Sequence, residues 1–139
     1  AADKFSSLKS ANYLPYSLGA RHAAENGFHD SLILDTRDFL ADTSRANIFI
    51  YKDGRIQTPS LDSGCVAGVM RRHLINILPG LGYEIEEKQL KKDDLRNAEE
   101  VFLSNAIGGI FPVGRFEDRN YITSLSTMLR DKLVEELFV

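Results

Sequence analysis

Gly64-Cys65-Val66-Ala67-Gly68-Val69-Met70-Arg71-Arg72 reads as a glycine-flexed loop running straight into a helix. Met70, Leu74, Ile77, Leu78 and Leu81 recur at helical spacing, which gives that helix one apolar face. Its first-turn amides have no acceptors within the helix, and the helix dipole adds partial positive charge there. Backbone N–H groups at such a start can hold a phosphate, and Gly64 and Gly68 let the backbone come close. Many helices begin this way and few hold a ligand, so the stretch takes its meaning from its surroundings.

Upstream, Ala46 to Lys52 is rich in β-formers, and Asp53-Gly54 is a two-residue hairpin signal. Arg55 to Thr58 returns as the partner strand, ended by Pro59 and Ser60. Ser31-Leu32-Ile33-Leu34 reads as a short buried strand, Thr36-Arg37-Asp38 as a turn, and Phe39 to Asp42 as extended chain. A helix is expected from Asn12, its N-cap, with Pro15 in the permissive first turn and Gly27 at the far end. Leu18, Arg21, His22 and Glu25 follow its spacing, and residues 4–8 read as a strand end leading to Lys9.

Downstream, Gly80 and Gly82 end the central helix. Tyr83 to Leu90 alternates in part, as a half-exposed strand does. Lys91 to Ala98 is a short charged helix, and Val101-Phe102-Leu103 a buried strand reaching Ser104-Asn105-Ala106. Gly108-Gly109 is a turn and Ile110 to Val113 another strand. A last helix from about Thr123 places Leu125, Leu129, Leu133 and Leu137 on one face. Strands and helices mix without a regular βαβ beat, so the class is α/β or α+β with a mixed sheet.

A chain of 139 residues with 43% apolar content suits one folded domain with a real core. Its formal net charge is −3 with both signs interspersed, which points away from nucleic acid and from membrane surfaces. The single cysteine, Cys65, rules out an internal disulfide, suits a reducing, cytoplasmic setting, and reads as a small apolar filler. His22, His29 and His73 are scattered, and no metal site is expected.

Four features remain. Lys9 stands between a strand and a helix. Asp42 ends a short strand ahead of Thr43-Ser44-Arg45-Ala46-Asn47. The glycine loop offers amides, and Ser104-Asn105-Ala106 closes a buried strand with polar groups. Singly, each has an ordinary explanation: a surface lysine, a turn acid, a satisfied buried amide at Asn105, a surface charge at Arg45. Jointly they match the needs of pyridoxal phosphate, which requires a lysine amine for its Schiff base, an acid beside its pyridine nitrogen, and a phosphate cradle.

The segment Leu8-Lys9-Ser10-Ala11-Asn12-Tyr13-Leu14-Pro15 resembles the lysine segment of the fold-type IV pyridoxal phosphate enzymes. That family includes D-amino-acid and branched-chain aminotransferases and aminodeoxychorismate lyase. The resemblance continues through Asp42 to Phe49, Lys52-Asp53-Gly54, Thr58-Pro59 and Gly64 to Arg71. It ends at Glu100 to Ala106 with Pro112-Val113. It implies the family's α/β pseudo-barrel C-terminal domain, with Lys9 holding the cofactor and moving the substrate proton. Asp42 falls at the acid beside the ring nitrogen, where the family usually has glutamate after threonine. Here Ala41-Asp42 leaves either a longer reach or a shifted ring. Val66 matches the aliphatic residue on the ring face, and the amides of Val69 and Met70 the phosphate contacts. Asn105 and Ala106 match the strand end that completes the cradle, and Arg45 has no assigned role.

Aminotransferases of the family commonly have threonine at the Met70 position and a glycine-threonine pair at Asn105-Ala106, so these positions look more like the lyase. The implied reaction converts 4-amino-4-deoxychorismate to 4-aminobenzoate and pyruvate. The alternatives are a class IV amino-acid aminotransferase and a non-catalytic domain. The family's smaller N-terminal domain precedes the lysine, and residues 1–8 do not supply it. The expectation is therefore a single cofactor-bearing domain over 1–139, from a full-length form that acts on a small molecule as a homodimer.

Overall fold

The computed structural model describes the backbone of residues 14–138 and the side chains of residues 14–135. The strand read over 4–8 and the cap at Asn12 lie outside them. The hairpin at Asp53-Gly54 forms as its composition requires. Both residues have positive φ, 52° and 78°, the twist that a two-residue turn must match. It joins β3 (Asn47–Lys52) to β4 (Arg55–Pro59).

Around this hairpin a five-stranded sheet runs β5-β4-β3-β6-β7, with β5 (Glu84–Lys88), β6 (Glu100–Asn105) and β7 (Gly109–Pro112). β4 and β5 are parallel and the other pairs antiparallel, so the sheet is mixed as expected. A β1 (Leu32–Leu34) and β2 (Leu40–Thr43) pair stands apart from it in hydrogen bonding. A small hairpin of β8 (Arg115–Phe116) and β9 (Arg119–Asn120) is an addition to the sequence reading.

The sheet is covered on both faces. Phe49 and Phe102 stack with ring centroids 5.0 Å apart beneath α2 (Val69–Ile77) and α4 (Ser124–Phe138), whose Leu74, Leu125, Leu129 and Leu133 complete that cluster. On the opposite face Ile48, Ile50 and Val101 meet Leu40 of β2, Leu90, and Leu95 of α3 (Lys92–Arg96). Each fully buried side chain of this size contributes roughly 1.5–3 kcal/mol relative to exposure.

Two expectations need correction. The central helix does not run to Leu81: α2 stops at Ile77 and a 3₁₀ turn covers Leu78–Leu81. Pro79 lacks the N–H that α-helical continuation needs, and Gly82 closes the turn at φ 91°. The strand at Ser31 is only partly buried, with Ile33 its one buried residue. The first helix, α1 (Leu14–Glu25), buries Ala23 alone, and Leu18 is 55% exposed. Its far end closes as expected: with Gly27 at φ 72°, Phe28 N–H reaches Ala23 O at 2.8 Å. Among the described residues no helix is long and apolar enough to cross a membrane.

Candidate active site

Asp42 sits in β2 with its side chain buried, the residue being 2% exposed. A carboxylate there must be paired, and three elements besides its own supply partners. Oδ2 accepts the Tyr16 hydroxyl of α1 at 2.7 Å and the Val66 N–H at 2.9 Å. Oδ1 accepts Asn47 Nδ2, at the start of β3, at 2.8 Å. Burial pushes the acid up to about 7, against the pull of these three hydrogen bonds and the charge of Arg71. An ionised carboxylate offers about four lone-pair sites, so among the described residues one stays open to a further donor. A cationic N–H there would hold Asp42 ionised at neutral pH.

Val66 ties the acid to the glycine loop. Gly64 turns the chain at φ 81°, in the left-handed region where glycine costs least. Gly68 is then the N-cap of α2 and provides no side-chain cap. No side chain could stand there, because a methyl on Gly68 would overlap Asn47 Oδ1. The amides of Val69 and Met70 form the first turn of α2. Among the described residues no group accepts a hydrogen bond from either. Val69 is 72% exposed, so this turn opens to solvent. Behind it Arg71 is buried, donating to Pro59 O at 3.1 Å and pairing with Glu87 at 2.5 Å.

β6 brings the strand end to the same place. Ser104 pairs directly with Asn47 across the sheet. Its hydroxyl is buried with no hydrogen-bond partner among the described residues. Asn105 is engaged in its own turn: Oδ1 accepts the N–H of Ile107 at 3.1 Å and of Gly108 at 2.7 Å. Nδ2 donates to Arg45 O at 3.4 Å, and Ala106 is exposed beside it. Arg45 is exposed and its guanidinium donates to His29 O. Cys65 is buried 1% exposed, and burial, followed by the Asp42 charge, pushes its thiol up to about 12, as suits a filler. Lys9 lies outside the described residues.

The structure thus gathers Asp42, Val66, the Val69–Met70 turn and the Ser104–Ala106 strand end. Among the described residues it provides a buried acid with one open acceptor site, a buried hydroxyl without a partner, and a helix start without a side-chain cap. Such a set can take a flat cationic N–H at one end and an anion at the other. Sequence reasoning assigned no role to Tyr16 or Asn47. Asn47 had a legible signal, an amide opening the apolar run Ile48-Phe49-Ile50, since a buried amide needs partners. Tyr16, 26 residues from the acid it contacts, had none.

Known proteins share this fold. Residues 1–116 match the model of the amino-transferase class IV family. Branched-chain-amino-acid aminotransferase 1, mitochondrial, of Arabidopsis thaliana is 36% identical over 112 residues, which are 79% of this chain and 29% of that protein. The crystal structure of 4-amino-4-deoxychorismate lyase from Pseudomonas aeruginosa superposes with a TM-score of 0.89 at 29% identity, covering 97% of this chain and 50% of its own. An aminotransferase from Brucella abortus bound to the cofactor PLP gives 0.82 at 28% identity, covering 90% and 45%. The chain therefore spans about half or less of the length of these relatives. By the family match over 1–116, and by the solved structures that share its fold, the chain belongs to the class IV amino-transferase family.

Proposed function

We propose that the protein uses pyridoxal 5′-phosphate and acts as a lyase, converting 4-amino-4-deoxychorismate to 4-aminobenzoate and pyruvate. The observation that carries the cofactor reading is the buried Asp42, bonded to Val66 N–H one turn of loop away from an uncapped helix start. The residues present fit the group at both ends. Asp42 keeps one acceptor site for a protonated ring nitrogen, and Val69 and Met70 offer unused amides to a phosphate. Val66 would lie on the ring face. Asn105 and Ala106 would close the phosphate end through their backbone, because the Asn105 side chain is spent on its own turn. When bound, pyridoxal phosphate supplies an electron sink for the charge left by proton removal.

The chain's own residues do the rest. Lys9 supplies the amine that holds the cofactor and then takes the proton from the substrate carbon that bears nitrogen. Asp42 keeps the ring nitrogen protonated by remaining an anion beside it. The lyase reading is supported by Met70 and Asn105-Ala106, where family aminotransferases commonly carry threonine and glycine-threonine, and by the likeness to the Pseudomonas lyase. A branched-chain aminotransferase is the second reading, favoured by the Arabidopsis relative.

Purified full-length protein should release pyruvate from the substrate with no keto-acid acceptor present. A strict need for 2-oxoglutarate overturns the lyase reading in favour of the aminotransferase. Failure to develop visible absorbance with the cofactor, or absorbance that survives Lys9→Ala, overturns the cofactor reading and leaves a non-catalytic domain. The full-length form is proposed to be a cytoplasmic homodimer, which sedimentation tests for its assembly.

A further inference from the structure

We propose that Asn47 is a positioning residue that fastens the acid to the anion-holding turn, so that the two ends of the cofactor site are set at one separation. The inference rests on the pyridoxal phosphate reading above. Asn47 is 6% exposed and opens β3. Its Nδ2 donates to Asp42 Oδ1 and to Val66 O, both at 2.8 Å. Its Oδ1 stands so close over Gly68 that no side chain fits there. One amide therefore touches β2, the glycine loop and the residue that starts α2. Val66 O also accepts Gly68 N–H at 2.9 Å, so the loop is closed on itself at the same atom.

Few side chains meet these contacts. Two donors are needed on one nitrogen, with a compact acceptor beside them. Aspartate brings no donor, serine brings one, leucine none, and glutamine adds a methylene to a full space. The function of the arrangement follows from the ligand's shape. A rigid molecule held at both ends realises both attractions only if the protein keeps its anchors at the matching distance. If the acid and the turn move independently, each binding event must first order one against the other. Loss of Asn47 should thus weaken a two-ended ligand far more than a ligand that uses one end.

The test compares pyridoxal 5′-phosphate, pyridoxal and inorganic phosphate binding to intact apo protein by calorimetry. Asn47→Ala should lower affinity for pyridoxal 5′-phosphate by roughly tenfold or more, and for inorganic phosphate by less than about threefold. Gly68→Ala, which displaces the same amide from the other side, should give the same pattern. Equal losses for all three ligands, or none, overturn the proposal. If either variant does not fold, the wild-type protein still decides: the Asn47 side-chain amide protons should exchange slowly with solvent, and their NMR signals should move with pyridoxal and with phosphate alike. Rapid exchange, or a response to only one of the two, overturns it. Failure of the cofactor reading looks different, because wild-type protein then lacks Lys9-dependent absorbance. Failure of this inference leaves that absorbance in place in the wild-type protein.

Discussion

Two helices start over the same face of the sheet, and they are finished differently. At α4 the buried carboxylate of Glu100 accepts the N–H of Leu125 at 2.9 Å and of Ser126 at 3.3 Å. At α2 the cap is Gly68, with no side chain, and the amides of Val69 and Met70 have no acceptor among the described residues. Both starts carry the same partial positive charge. β6 lies beneath each: Glu100, Phe102 and Ser104 alternate along one side of it. At one end an acid fills the helix start. At the other stands a buried hydroxyl, and the nearby acid, Asp42, spends itself on Tyr16, Asn47 and Val66 instead. The fold can therefore neutralise a helix start from within, and among the described residues it does not do so at α2. This contrast is what the proposed phosphate contact at α2 rests on.

Asp42→Asn tests the unfilled end most severely. The neutral amide should still allow cofactor to bind, while turnover of the full-length enzyme falls by roughly a hundredfold or more, the scale of one preorganised charge in a closed site. Steady-state kinetics beside a cofactor titration checks it, and unchanged turnover removes Asp42 from its role. At the filled end the loss should fall on stability. Glu100→Ala leaves two helix amides without acceptors and should cost about 2–3 kcal/mol in urea unfolding. A cost near zero would mean that the two starts do not differ in the way described.

A gentler change sharpens the contrast at α2. Val69 is the first helical residue, follows a Gly68 at φ −64° and ψ 147°, and points its side chain to solvent. Proline suits such a position, since its fixed φ matches the helix and the residue before it is already extended. Val69→Pro should leave the unfolding midpoint nearly unchanged, while deleting one donor lowers affinity for pyridoxal 5′-phosphate by about tenfold. Affinity equal to wild type would show that this amide holds nothing.

The smallest effect is a slope. Asp42 ionises near pH 7 in the folded apo protein and near 3.8 when exposed. Between those values the native state holds a proton that the unfolded chain has released. The contribution of Asp42 to stability is therefore present at low pH, falls as pH rises through this window, and is flat above it. Its share of the slope is at most about 1.4 kcal/mol per pH unit. Subtracting the Asp42→Asn profile, which lacks the group, isolates it. A rising difference would contradict the assigned environment.

What could be read from the chain follows its local chemistry. The Asp53-Gly54 hairpin and the loop into α2 depend on backbone freedom and on periodicity within about ten residues, and both formed where the residues indicated. Asp42 and the strand end at Asn105 were legible as motif positions. Their company was not. Nothing near Glu100 reveals that its carboxylate will cap a helix 25 residues later, and nothing near Tyr16 points to Asp42.

Taken alone, the sequence determined the hairpin, the glycine-led helix start, the mixed class and the family, because each is written in neighbouring residues or in ordered motifs. Tertiary structure decided the strand order β5-β4-β3-β6-β7, and with it which buried groups meet. That order sets Asn47 opposite Ser104, while the packing of the glycine loop over the start of β3 brings Val66 and Gly68 against the same side chain. The physical reason is that a buried polar group must find a partner wherever the chain brings one within about 3 Å, and that distance is a property of the folded chain.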